Sequence, residues 1–292
     1  MHKDSLNTKS KLIIGASGFL GTHLLKMLLA GSDQVYVALR PQDRITAVAA
    51  EKQISFAALD DISDGIDTVY LLAAHIPYEA PDEYTKKLIE SNVELPLLVV
   101  KHFPKAKIIY ASSVSIYGTQ NGGVVIDEQG PFGHPFAYGL SKLAGEMVVR
   151  THPKFAILRL SSLFGPNMCA PTFIRSIIHS ALRDKKITLF GDGARLQNYL
   201  FVEDACKMLM VAANVKENFI GNAVGNRSIS NKDIAEKIAK IIGNIQIIFK
   251  DDDTSLSSQY SNQLLLQMAK DFTYTPLEKS LRETIDAFRK ES

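Results

Sequence analysis

Between residues 11 and 29 the chain runs from a short apolar strand, KLII, through a glycine-punctuated turn, GASGFLG, into THLLKMLL, whose apolar positions recur at helical spacing. A strand, a tight turn and a helix in that order open a βαβ unit, and the chain goes on repeating the theme. QVYVAL (34–39), ISFAAL (54–59), DTVYLLAA (67–74), AKIIYAS (106–112) and FAILRL (155–160) read as strands, with helical patterns over about 82–102 and 137–151. These strands are continuously apolar rather than alternating, which is what burial on both faces requires. The expected fold is therefore α/β, a doubly wound parallel sheet.

The pattern changes after Phe164. GPNMCAP reads as a loop, PTFIRSIIHSALRD as a helix and ITLFGDG as a strand and turn, while VEDACKMLMVAANV looks like a further helix of the main domain. SNKDIAEKIAKIIG, IQIIF and LEKSLRETIDAF form a smaller α+β region, with Ser230 and Asp233 marking a helix start. The expected division is a Rossmann-type dinucleotide domain over 1–164, joined again by about 198–219, and a mainly substrate-binding region over 165–292. A length of 292 residues allows that, and 46% hydrophobic with 22% charged residues is an ordinary globular balance. The net charge of +2 gives no general attraction to nucleic acid or an anionic membrane. MHKDSLNTKS at the start has no apolar core, and no apolar run reaches roughly 18 residues. Cys169 and Cys206 are isolated, and the expectation is two buried thiols in a reducing cytoplasm.

Gly15, Gly18 and Gly21 recur at three-residue spacing between a buried strand and an amphipathic helix. Such a turn lets a pyrophosphate approach the backbone while the helix start offers free N–H groups. The same spacing also serves close helix–strand packing. A dinucleotide site of this kind carries an acid about 20 residues on, at the next strand tip, for the ribose 2′-hydroxyl. Here that tip reads Leu39-Arg40-Pro41, with Arg44 nearby. A guanidinium suits a 2′-phosphate, so NADP(H) is favoured and NAD(H) is possible. In the other reading Arg40 is a solvated surface residue and Asp43 takes the ribose.

The run IYASSVSIYG (109–118) ends an apolar strand in Ser112, Ser113 and Ser115, where Val or Ile would pack better. In AYGLSK (137–142), Tyr138 and Lys142 stand one helical turn apart and share a face. A phenol with pKa near 10 is a poor acid–base group at neutral pH, and a neighbouring ammonium favours its phenolate. With a hydroxyl from a strand tip, a carbonyl oxygen fits between Ser and Tyr while hydride reaches its carbon.

At these residues the chain resembles the extended short-chain dehydrogenase/reductases, the branch of nucleotide-sugar epimerases, dehydratases and reductases. GASGFLG is similar to its cofactor motif, so that Gly15, Ser17, Gly18, Phe19, Leu20 and Gly21 would line the dinucleotide. YGLSK is similar to its YxxxK, and ASSVSIYG to its SSxxVYG, which makes Ser113 the catalytic hydroxyl. Asp61 and Ile62 look like the pair beside the adenine. Leu72, Ala73 and Ala74 look like the strand passing the cofactor, and Asn92 like the helical Asn that holds the active-site helix. LRLSSLFGP and GDGARLQNYLFVEDA resemble LRxxNxYGP and GDGxQxRDFxYVxDxA. The resemblance implies Tyr138 as general acid–base, Lys142 lowering its pKa and holding the nicotinamide ribose, and Ser113 bonded to the reacting oxygen. It also implies a homodimer packed through the helices that contain Asn92 and Tyr138.

Dehydratases of this branch carry an Asp-Glu pair after the catalytic hydroxyl, where this chain has Val114 and Ser115. Neither side chain is a carboxylic acid, so 4,6-dehydration is not expected. Arg40 points to an exchangeable NADPH and a net reduction, and the expected activity is that of a reductase of a nucleoside-diphosphate 4-keto-6-deoxy sugar. Chain length and QNYLFVEDA look like the synthases of CDP-dideoxyhexoses. Ser113, Ser115, Ser162, Arg195 and Gln197 are the expected substrate contacts. Gln197 replaces the family's substrate Arg, and Ser162 its Asn, and Arg195 lies two residues before Gln197. These departures keep open the reduction of a small non-nucleotide ketone or aldehyde. A 4-epimerase with tightly held NAD and, least, a non-catalytic dinucleotide sensor are the other readings. No metal site is expected. His134, shortly before Tyr138, reads as an auxiliary acid or as a plain loop residue, the commoner case, and His179 on its helical pattern as structural.

Overall fold

The computed structural model describes residues 9–39, 53–55, 64–77, 81–118 and 123–291. Two compact units emerge, one of residues 1–116, 135–159 and 206–221 and one of residues 117–134, 160–205 and 222–292.

The first unit is built on the parallel central sheet that its apolar runs require. β1 (Ser10–Ile14), β2 (Gln34–Leu39), β3 (Gln53–Ser55), β4 (Thr68–Leu71) and β5 (Lys107–Ser113) lie in the order β3-β2-β1-β4-β5, each neighbour parallel. Strands Phe155–Leu160 and then Phe219–Ala223 extend this beyond β5 to seven strands. All of β4 and residues 107–112 of β5 are buried, as strands covered on both faces must be. Helix α1 (Phe19–Leu29) turns Leu20, Leu24, Leu25 and Leu28 inward. The strand order reverses at β1, because the chain moves outward through β2 and β3 and then returns to β4 on the other side. In open α/β sheets ligands bind at that switch point, beyond the carboxyl ends of the strands.

Two local features depart from the sequence reading. The strand expected over 67–74 stops at Leu71, because the N–H groups of Leu72 and Ala73 both donate to the Ile14 carbonyl at 2.9 Å. They leave the ladder and cross the end of β1. The helix expected over 82–102 is α2 (Pro81–Ile89) and α3 (Leu95–His102) joined by a π-helical stretch, Glu90–Glu94. The widened turn carries Asn92, which is fully buried. Helix α4 (Ala137–Val149) packs against β5, α3 and the π stretch.

In the second unit Ser162–Phe164 pairs with Tyr199–Phe201, and Lys186–Phe190 with Gln246–Lys250. Helices Phe173–Asp184, Asn231–Ile242 and Leu277–Glu291 pack on one another. Ser230 caps the second of these, its hydroxyl accepting from the Asp233 N–H at 3.0 Å. Cys206 is buried as expected, but Cys169 is exposed, since it falls in the loop before helix Phe173–Asp184. Among the described residues no helix is long and apolar enough to cross a membrane.

Candidate active site

The three glycines of the first turn have different duties. Gly15 has φ +98°, and a Cβ there would lie 2.6 Å from the Ala73 nitrogen. A Cβ on Gly21 would collide with the Gly15 carbonyl. Both are fixed by packing of the chain on itself. Gly18 differs: it is exposed, its φ of −78° suits any residue, and a Cβ would meet only the Gly15 carbonyl at 3.4 Å. It is also the N-cap of α1, with no side-chain cap on the helix N–H groups. Neither backbone nor packing demands glycine at residue 18, so the demand falls on what approaches from outside. This suits a dinucleotide pyrophosphate.

Around this turn Ser17 and Phe19 are half-buried, Leu20 faces the core, and Leu72 and Ala73 are half-buried beside an exposed Ala74. Arg40, Asp43, Arg44, Asp61 and Ile62 lie outside the described residues.

The serine-rich end of β5 divides its hydroxyls between two tasks. Ser112 is buried, and its Oγ donates to Glu146 Oε1 at 2.5 Å. Ser113, on the opposite face, is half-buried; its Oγ donates to Ser115 Oγ at 3.0 Å and accepts from the Ser115 N–H at 3.1 Å. Helix α4 meets this tip directly: a Cβ on Gly139 would strike the Ser115 carbonyl. The residue after Tyr138 therefore lies against the strand tip that presents Ser113 and Ser115.

Tyr138 is half-buried and Lys142, one turn on, is wholly buried. Lys142 Nζ stands 4.1 Å from the centroid of the Tyr110 ring and has no hydrogen-bond acceptor among the described residues. Burial pushes its pKa down to about 7, and the Glu146 charge opposes that fall. Asn92 holds α4 in place. Its Nδ2 donates to Ser141 Oγ at 2.9 Å and to the His75 carbonyl at 3.0 Å, its Oδ1 accepts from the His75 N–H at 2.9 Å, and Ser141 Oγ donates to the Tyr138 carbonyl at 2.8 Å. The helix bearing the phenol is thus tied to the chain leaving β4. The buried ammonium, with no acceptor among the described residues, and the open face at Gly18 both fit a nicotinamide dinucleotide.

Three members of this cluster were missed from the sequence. Glu146 continues the Tyr138–Lys142 spacing by one more turn, and that spacing was its signal. Arg159, a charge inside the apolar run FAILRL, pairs with it: Nε donates to Oε1 at 3.1 Å and Nη2 to Oε2 at 2.9 Å. Tyr110 carried no signal beyond its place in an apolar strand.

The expected substrate contacts Ser162, Arg195 and Gln197 belong to the second unit and are half-buried there. Gln197 Nε2 donates to Asn231 Oδ1 at 2.7 Å, so its amide is occupied in joining two elements of that unit. Arg195 accepts the Asn231 N–H on its backbone carbonyl at 3.0 Å, and its Nε has no partner among the described residues. His134 is exposed, and His179 packs edge-on against Phe288, with ring centroids 6.4 Å apart.

A parallel sheet reversing at β1, a glycine turn open at Gly18, and a Tyr–Lys helix lying on a serine-tipped strand define an NAD(P)-dependent enzyme of the extended short-chain dehydrogenase/reductase type. The chain belongs to the NAD dependent epimerase/dehydratase family, whose profile matches residues 11–224. It is 24% identical to an uncharacterised UDP-glucose epimerase of Bacillus subtilis (strain 168), over 73% of this chain and 75% of that protein. It is 23% identical to a dTDP-4-dehydro-6-deoxy-D-allose reductase of a Streptomyces species, over 99% of each. Among solved structures it resembles UDP-glucuronic acid 4-epimerase from Bacillus cereus in complex with NAD, at a TM-score of 0.80 and 23% identity, over 96% of this chain and 99% of that one. These relatives are named as enzymes that act on nucleotide sugars.

Proposed function

We propose that the protein reduces a nucleoside-diphosphate 4-keto-6-deoxy sugar with NADPH, Tyr138 giving the proton to the C4 oxygen. The observation that carries this is the meeting of α4 with the tip of β5 at Gly139 and Ser115, beside a buried Lys142. The nicotinamide cofactor, when bound, supplies the hydride. Ser113 donates a hydrogen bond to the reacting oxygen, and Lys142 favours loss of the phenol proton electrostatically. Val114 and Ser115 stand where elimination would need two carboxylic acids, which speaks against dehydration. A relative named as a reductase spans essentially the whole chain. The preference for NADPH rests on the sequence alone, on Arg40 following directly after β2.

In this reading the second unit is the substrate domain, with Arg195 and Ser162 as its contacts. The protein acts in the cytoplasm as a homodimer. Ile89, Leu97 and Leu98 of α2 and α3, with Leu140 and Met147 of α4, are exposed apolar side chains on the helices expected to pair. Sedimentation at micromolar concentration, with Leu140→Glu and Met147→Glu returning the protein to monomer, checks this.

The activity test is incubation with NADPH or NADH and a panel of CDP-, dTDP-, GDP- and UDP-4-keto-6-deoxy sugars. Stoichiometric oxidation of the nicotinamide is the expected result. Tyr138→Phe should fold, bind cofactor and lose roughly 10²–10⁴-fold in turnover, the usual worth of a positioned acid. Near-normal activity in that variant overturns the mechanism. A second reading, a 4-epimerase, draws on the UDP-sugar 4-epimerase among the structural relatives. NAD that stays bound through purification, with sugar interconversion and no net nicotinamide consumption, would establish it instead.

A further inference from the structure

We infer that Tyr110, three residues before Ser113 on β5, is a positioning residue of the site: its ring face holds the Lys142 ammonium. The inference rests on the roles of Tyr138 and Lys142 proposed above. The 4.1 Å between Nζ and the ring centroid is well inside the range for a cation–π contact, and the contact is wholly desolvated. An ammonium removed from water needs compensation, and no hydrogen-bond acceptor reaches Nζ among the described residues.

Glu146, the carboxylate whose charge acts on Lys142, is already engaged. Arg159 donates to both of its oxygens, and Ser112 donates to Oε1. Its attraction for Lys142 is offset by the Arg159 charge. On its other sides α4 packs against α2, which carries Tyr84, Lys86 and Lys87, the π stretch, which carries Glu90 and Glu94, and α3, which carries Lys101 and His102. The charged residues among these are exposed, and the buried polar group there is the neutral Asn92. The ring is therefore the group that touches the ammonium and stabilises its charged form.

The chain is shaped to admit the ring. A side chain at Gly145 would collide with the Tyr110 hydroxyl and the Asn92 carbonyl, so α4 is smooth where the ring passes beneath it. The hydroxyl has no partner among the described residues. Burial, then the charges of Tyr138 and Glu146, push the phenol well above its ordinary range, so it stays neutral. The ring, rather than the hydroxyl, serves Lys142.

The test uses the full chain with lysine labelled by ¹³C at Cε, the Lys142 signal being identified by its absence in Lys142→Met. In the protein without cofactor Lys142 should titrate near 7. Tyr110→Phe, which keeps the ring, should leave the midpoint in place. Tyr110→Leu should lower it by about one pH unit, and the alkaline limb of kcat should move the same way with KM little changed. A merely structural role would alter melting temperature without moving either titration. A folded Tyr110→Leu protein that titrates like the parent overturns the inference, as does a Phe variant that shifts as far as the Leu variant. Tyr110→Met serves the same purpose if the Leu variant does not fold. An active Tyr138→Phe overturns the underlying mechanism and leaves the lysine titration standing; an inactive one with an unmoved Lys142 midpoint removes only the role of Tyr110.

Discussion

Lys142 and Arg159 are both cations buried in the first unit, 1% and 4% exposed, and both lie near Glu146, yet their surroundings are opposites. Arg159 makes a two-pronged contact with the Glu146 carboxylate, which its planar fork suits. Lys142 has an aromatic face and, among the described residues, no acceptor. A cation buried for the fold is saturated by the fold, whereas one buried for chemistry keeps donors that nothing in the fold takes. The residue types follow, since a guanidinium stays charged while a buried ammonium titrates close to neutrality. Removing either cation should therefore move stability in opposite directions.

The largest effects are expected at these two cations. Arg159→Met leaves Glu146 buried with an uncompensated charge and should cost about 3–5 kcal/mol in urea unfolding. Adding Glu146→Leu should restore most of that, because an apolar pair replaces a buried ionic one at little net cost. Lys142→Met should do the reverse, abolishing turnover while stabilising the protein without cofactor by on the order of 5 kcal/mol at pH 6. The sign follows from a folded pKa of about 7 against 10.5 for the ordinary lysine. Below about 7 both states carry the proton and the burial penalty is present in full. As pH rises from there towards 10.5 the folded state sheds the proton first, and the advantage of the Met variant fades. Unfolding curves at pH 6 and pH 9 check both halves, and a Lys142→Met protein less stable than its parent at pH 6 would break the comparison.

How far such contrasts were legible in the sequence depends on the kind of signal. Continuous apolar runs fixed strands well, with Gln34–Leu39 and Phe155–Leu160 falling where the pattern puts them, and Ser230 starting its helix as a cap should. Tyr138, Lys142 and Ser113 were legible because polar groups in those places make no sense for packing. The end of β4 was not, since Leu72 and Ala73 look like strand and leave it only through a shared acceptor on a neighbouring strand. The π turn at Glu90–Glu94 inserts a residue without changing composition. Tyr110 was hidden for a plainer reason: an aromatic in an apolar strand is ordinary core until a cation is found above it.

The glycine turn offers a second contrast of middling size. Gly21→Ala drives a methyl into the Gly15 carbonyl and should destabilise by about 1–3 kcal/mol, as overpacking does. Gly18→Ala meets only that carbonyl at 3.4 Å, so melting should hold while cofactor affinity falls roughly tenfold, or about 1.4 kcal/mol. Equal loss of stability in the two variants would mean that Gly18 too is a packing residue.

The smallest effects separate Arg195 from Gln197, where the chain departs from the motif it resembles. The Gln197 amide is engaged with Asn231, and losing that bond in Gln197→Ala should cost about 1 kcal/mol of stability with little change in KM. Arg195 Nε has no hydrogen-bond partner among the described residues, and as a diphosphate contact its removal takes away binding common to ground state and transition state. Arg195→Ala should then raise KM several-fold at constant kcat. Interchanged outcomes, with KM rising in the Gln197 variant and unmoved in the Arg195 variant, would show that the amide had taken over the family's substrate contact. The neighbouring arginine would then be only a surface cation.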